Sequence, residues 1–184
     1  TLWTDMKSSE EQTPNKVIVP AFMSVCVIAS LIILIRRYIK KKKDNSRLML
    51  VGFGEDKEKL KNLVHELNLD ESVDLIPGDK VDVSEKYDEA DYMIFPSRYE
   101  GFGIVLLEAQ AKRIPCFVSE AIQKEVDAGL LNYIKLSEMP EKWAEKILSY
   151  IDSNHEIDDS KIQENLNKFS SNEICEQYAK IYGG

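Results

Sequence analysis

From Arg47 to Ile151 the chain alternates short apolar runs with stretches of helical periodicity, and this rhythm constrains the fold more than any other feature. Leu48-Met49-Leu50-Val51 is a short apolar run that ends in Gly52-Phe53-Gly54, as a buried parallel strand does. Glu55 to Leu67 spaces Leu60, Leu63, Val64 and Leu67 for one face of a helix. Val73 to Ile76 reads as a strand stopped by Pro77-Gly78, and Val83 to Ala90 as a short helix. Tyr92 to Phe95 is a strand ended by Pro96-Ser97, followed by a helix over Ile104 to Lys112. Ile114 to Val118 and Tyr133 to Leu136 are the last strands; Pro140 opens a helix to about Ile151, and Ser160 to Tyr182 holds one or two more. Such alternation with short connections predicts an α/β domain, a parallel sheet with flanking helices and right-handed crossovers. Ligands of such sheets bind outside the carboxyl ends of the strands, which directs attention to residues 52–54, 77–79 and 96–103.

The segment before this rhythm is different. Residues 1–16 are polar and unpatterned, the composition of a tail. Val17 to Ile35 then contains no charged residue and ends in a basic flank, Arg36-Arg37-Tyr38-Ile39-Lys40-Lys41-Lys42-Lys43. One reading of 17–43 is a transmembrane helix, close to the ~20 residues that cross a bilayer. The basic flank would then leave residues 44–184 in the cytoplasm, anchored at the inner face of the membrane. The other reading is a first strand-helix unit, with Val17-Ile18-Val19 as a buried strand and Phe22 to Lys42 as the helix. The 184 residues suffice for one domain of this kind and not for two. Thr1 in place of Met points to a piece of a longer chain or a processed one.

A net charge of -8 argues against nucleic acid as a partner, since phosphate backbones need clustered Lys and Arg. Cys26, Cys116 and Cys175 have no metal spacing and read as buried free thiols of a reducing compartment. With only His65 and His155, a His-based metal site is not expected.

The chemistry concentrates between Phe95 and Ala109, where a strand gives way to a two-glycine loop and a helix. Gly101 and Gly103 permit close backbone approach and unusual dihedrals. The unpaired N–H groups at the helix start, around Gly103 to Val105, form a place for an anion such as a diphosphate. Glu100 precedes the helix and Glu108 lies within it; spacing alone favours the plainer reading, in which Glu100 complements the helix dipole and Glu108 is a solvated helix residue.

The frame Pro96-Ser97-x-x-Glu100-Gly101-Phe102-Gly103-x-x-x-x-Glu108-Ala109 resembles the signature of group 1 (family-4) glycosyltransferases of the B-type fold. Leu48 to Gly54, Pro77-Gly78, Asp91 to Ser97, Ile114 to Ser119 with Lys124-Glu125-Val126, and Trp143 to Ile147 are similar to the same family, closest to its bacterial exopolysaccharide and capsule members. The resemblance implies the Rossmann-like carboxyl-terminal half of such an enzyme, binding a nucleotide-diphospho-sugar for retaining transfer to a glycan or lipid-linked acceptor. It implies that Glu100 contacts the hexose in the catalytic cleft and that Glu108 accepts hydrogen bonds from the ribose hydroxyls. The N–H groups of Phe102, Gly103, Ile104 and Val105 hold sugar and diphosphate, and Gly52 and Gly54 let the nucleotide approach the sheet. It implies no cofactor and no metal.

Two departures stand out. The family supplies an Arg and a Lys after the first strand of this half, and here no Arg or Lys lies between Val17 and Ile35. Arg113 stands where a Gly is usual. No acceptor domain fits into the chain, so an acceptor domain or chain is an expected partner and the chain alone is expected to be inactive or nearly so. The competing reading is a non-catalytic, membrane-anchored binding or assembly protein on the same fold.

Overall fold

A computed structural model describes residues 16–21, 25–40, 42, 45–52, 56–79, 81–153 and 155–170, with the backbone alone for 19–21 and 25–30. Six strands form one sheet: β1 (Lys16–Ala21), β2 (Arg47–Gly52), β3 (Val73–Pro77), β4 (Tyr92–Phe95), β5 (Cys116–Ser119) and β6 (Leu131–Ile134). The helices are α1 (Val25–Lys40), α2 (Lys57–Glu66), α3 (Val83–Asp88), α4 (Ile104–Ala111), α5 (Pro140–Asp152) and α6 (Asp159–Asn167), with a short 3-10 turn at Lys124–Val126.

The strand order is β3-β2-β1-β4-β5-β6 and every pairing is parallel. The chain builds outward from β1 to β3, then crosses back to place β4 on the other side of β1. The reversal lies between the carboxyl ends of β1 and β4, at Ala21 and Phe95, where the loop into α4 begins and where open α/β sheets form their ligand crevice. Two cores cover the two faces. Ile32, Ile33, Ile35 and Ile39 of α1 pack with Leu60, Phe117, Trp143 and Ile147 on one. On the other, Tyr87, Leu106 and Ala109 of α3 and α4 pack on Ile18, Met49, Val51 and Phe95.

The segment with two readings folds as β1 and α1. β1 pairs with β2 from Lys16↔Arg47 to Ala21↔Gly52 and with β4 at Val17↔Tyr92 and Ile18↔Met93, so it lies in mid-sheet. α1 has 16 residues, about 24 Å at 1.5 Å per residue, short of the ~30 Å hydrocarbon core. Among the described residues no helix is long and apolar enough to cross a membrane. In the described second half of α1, Ile32, Ile33, Ile35 and Ile39 are buried in the core beneath the sheet, where α1 packs on α5 and α2, so their apolar character has a packing cause.

Two strands are displaced from the sequence expectation. The fifth begins at Cys116, not Ile114, because Pro115 lacks an N–H and serves only as acceptor, from Met93 N–H at 3.0 Å. β6 spans Leu131–Ile134, two residues earlier than expected, with Asn132 opposite Phe117. Polar Asn132 hides the strand start in the sequence; its side-chain amide lies at 3.4 Å from the Leu130 carbonyl.

Candidate functional site

The loop from β4 to α4 turns tightly at the crevice. Ser97 Oγ donates to the Tyr99 carbonyl at 2.8 Å, the Ser119 hydroxyl at the end of β5 donates to the Ser97 carbonyl, and Gln123 Nε2 donates to the Gly101 carbonyl at 3.1 Å. The neighbouring strand end and its loop thus hold the glycine loop from the side. Gly103 caps α4 with φ 75° and ψ 41°, the left-handed region that glycine reaches without a steric penalty. A Cβ built there would stand 3.3 Å from Leu106 Cδ1 and 3.6 Å from Glu100 Cγ, so Glu100 packs beside the cap. The Leu106 N–H donates to the Gly103 carbonyl at 2.9 Å, while Ile104 and Val105 occupy the two first helical positions, where N–H groups have no carbonyl one turn back.

Glu100 is half-buried, and one of its oxygens accepts the Gly101 N–H at 3.2 Å. Glu108 is exposed, one turn into α4, and its Oε2 accepts the Tyr87 hydroxyl at 3.2 Å. Burial, then the Glu108 charge, pushes the Tyr87 hydroxyl well above the ordinary tyrosine range, so it stays a donor. Phe102 is 46% exposed and makes an edge contact with Phe169, ring centroids 5.9 Å apart, which ties the chain beyond α6 to the glycine loop. Gly101 is open, with nothing within 4 Å of an added Cβ. Gly52 ends β2, pairs with Ala21 and Pro77, and accepts Gly78 N–H at 3.0 Å; Gly54 lies outside the described residues. The structure therefore places Glu100, Gly101, Phe102, Gly103, Ile104, Val105 and Glu108 on the loop after β4 and the first turns of α4, with Gly52 at the end of β2 on the far side of β1.

Two residues at this helix escape a reading for motifs. Tyr87 is one. The other is Gln110, fully buried on α4: its Nε2 donates to the carbonyls of Leu106 (3.1 Å) and Val126 (2.8 Å), and its Oε1 accepts the N–H of Ala128 (2.8 Å) and Leu130 (3.4 Å). The signal was present as a glutamine on the buried face of a helix, at Leu106, Ala109 and Gln110. Among the described residues no group of three His, Cys, Asp or Glu side chains could hold a metal ion. A cavity of about 450 Å³ lies elsewhere, along edge strand β6, lined by Asn132, Tyr133, Lys146, Tyr150 and His155 among others; it shares no residue with the glycine loop.

Residues 7–172 match the family described as Glycosyl transferases group 1. The chain belongs to this family. It is similar to EpsF of Bacillus subtilis (strain 168), 35% identical over 112 residues, which are 60% of this chain and 29% of EpsF. It is also similar to the amylovoran biosynthesis glycosyltransferase AmsD of Erwinia amylovora, 34% identical over 73 residues, 40% of this chain and 20% of AmsD. Among solved structures TarM superposes with a TM-score of 0.75 at 21% identity, covering 95% of this chain and 36% of TarM. The carboxyl-terminal domain of LpcC from Francisella tularensis superposes at 0.61 with 20% identity, covering 89% of this chain and 84% of that domain. At these identities the likeness establishes the fold. The chain spans between 20% and 38% of the length of the curated relatives it matches.

Within this group 1 glycosyltransferase chain, Arg113 explains its own departure from the usual Gly. It has φ 63°, the left-handed position after the end of α4, with Ile114 N–H donating to the Ala109 carbonyl at 3.0 Å and Arg113 N–H to Gln110 at 2.9 Å. A non-glycine residue there costs about 1–2 kcal/mol. Its guanidinium offsets part of this by bonding Asp159 at 2.5 Å and Gln163 at 3.3 Å, anchoring α6 against α4.

Proposed function

We propose that this chain binds the nucleotide-diphospho-sugar of a retaining glycosyl transfer at the crevice outside β1 and β4. The observation that carries the reading is the left-handed Gly103 cap, which starts α4 with no side-chain cap on its first N–H groups and with Glu100 packed beside it. In this reading the amides of Phe102, Gly103, Ile104 and Val105 hold sugar and diphosphate. The helix dipole favours the negative charge that develops on the leaving group. Glu100 contacts the hexose and acts as the catalytic carboxylate. Glu108, an exposed carboxylate with two acceptor oxygens, takes the vicinal ribose hydroxyls. Gly52 and Gly54 line the nucleotide side, and no metal or cofactor takes part. The acceptor site and the rest of the cleft belong to a domain or chain outside these residues, so the chain alone turns over slowly or not at all, because orientation of the two reactants supplies much of the rate.

UDP is the first probe to use: the solved complexes of TarM and of the pneumococcal transferase GtfA contain it. Calorimetric titration of the chain with UDP is expected to show binding that Glu108→Ala weakens about 10- to 100-fold, the worth of hydrogen bonds to a charged group. Equal affinity of wild type and variant removes Glu108 from the site. A second reading, a binding or assembly protein that keeps the fold without the chemistry, is favoured by the lack of any Arg or Lys between Val17 and Ile35 to neutralise a diphosphate. No binding of UDP or GDP at millimolar concentration selects it.

A further inference from the structure

We propose that Tyr87 is a positioning residue that holds the Glu108 carboxylate for the ribose diol, an inference that rests on the reading of Glu108 given above. Tyr87 sits near the end of α3 and is 3% exposed, its ring packed in the core that α3 and α4 share over the sheet. Only its hydroxyl reaches the surface of α4, 3.2 Å from Glu108 Oε2 and 3.5 Å from the Val105 carbonyl. A second tie, the exposed ion pair of Lys112 Nζ just past α4 with Asp88 Oδ1 at 2.6 Å, joins the ends of the two helices.

The consequences follow from the donor and acceptor inventory. A tyrosine hydroxyl has one proton, and here its better acceptor is Glu108 Oε2. That bond uses one lone pair of Oε2 and leaves the other, with both lone pairs of Oε1, for the two ribose hydroxyls. An exposed glutamate without such an anchor samples many rotamers and must be ordered when the ligand binds. Anchored to a ring that is itself locked in the core, Glu108 is ordered beforehand. The desolvated hydroxyl does not ionise near neutral pH, so the anchor never becomes a second negative charge beside Glu108.

The test compares UDP with 2′-deoxy-UDP, which lacks one hydroxyl of the diol, on wild type, Tyr87→Phe, Glu108→Ala and the double variant. Tyr87→Phe keeps the packed ring and loses only the hydroxyl. The expected result is a wild type that prefers UDP, and a Tyr87→Phe chain whose UDP affinity falls about 2- to 10-fold, the effect of one side chain left to be ordered on binding. Its affinity for 2′-deoxy-UDP, which keeps one of the two hydroxyls, falls by less, and the double variant is no weaker than Glu108→Ala alone. Equal weakening for both nucleotides assigns Tyr87 a purely structural role and overturns the proposal, as does a Tyr87→Phe chain identical to wild type. A wild type with no preference for UDP, or a Glu108→Ala chain that keeps that preference, overturns the reading of Glu108 itself and the proposal with it.

Discussion

Replacing Gln110 by Leu is expected to destabilise the chain by about 2–5 kcal/mol, since each buried polar group left without a partner costs roughly 1–3 kcal/mol. Leucine fills much of the same volume but offers no donor or acceptor. The Val126 carbonyl and the Ala128 and Leu130 N–H groups would lose the bonds that Gln110 now gives them. These groups lie in the turn that feeds β6, so one amide joins α4 to the edge of the sheet. The loss is a large part of the ~5–15 kcal/mol that a domain of this kind has in total. Urea denaturation checks it: the midpoint should fall with the slope unchanged. Because α4 carries Glu108 and the Gly103 cap, UDP affinity should fall in the same variant. A midpoint within experimental error of wild type would show that water replaces the lost bonds.

Trp143→Ala is expected to cost about 3–5 kcal/mol, the range for truncating a fully buried large aromatic. Trp143 on α5 is completely buried among Ile33, Ile35, Ile134 and Ile147, and its indole N–H donates to the Lys135 carbonyl at 3.2 Å. Alanine leaves a cavity that its neighbours refill only in part, and it strands the Lys135 carbonyl. The result bears on α1 as much as on α5, because the two helices pack against each other in this core. If α1 were not seated beneath α5, Trp143 would be largely exposed and its removal would cost within about 0.5 kcal/mol, as at ordinary surface sites. Thermal unfolding monitored by circular dichroism separates these outcomes.

How much of this was legible depends on the kind of signal. β2 and β4 are plain in the sequence because each is a short apolar run closed by Gly or Pro, and their observed limits fall within a residue of the expected ones. Group 1 membership was legible in the frame from Pro96 to Ala109, and the family match bears it out. α1 was ambiguous for a physical reason: a helix covered by other helices and by lipid presents the same apolar surface, and only its partners tell them apart. β6 was misplaced by two residues because Asn132 interrupts its apolar run. The left-handed turn at Gly103 could be anticipated from the residue type, whereas the same turn at Arg113 could not, since its stabilisation comes from α6, far along the chain. Tyr87 and Gln110 were invisible for a related reason. Their roles are set by partners 18 to 21 and 16 to 20 residues away, respectively, and a single sequence carries no record of contacts at that distance.

The central claim is the location of the nucleotide, and backbone amide chemical shifts of the ¹⁵N-labelled chain during a UDP titration test it most directly. The expected result is a saturable set of shifts at Gly52, Gly101, Phe102, Gly103, Ile104, Val105 and Glu108, larger than those caused by inorganic phosphate at the same concentration. Shifts gathered instead around Asn132, Tyr150 and His155, in the cavity along β6, would place the ligand elsewhere and contradict the assignment of the crevice.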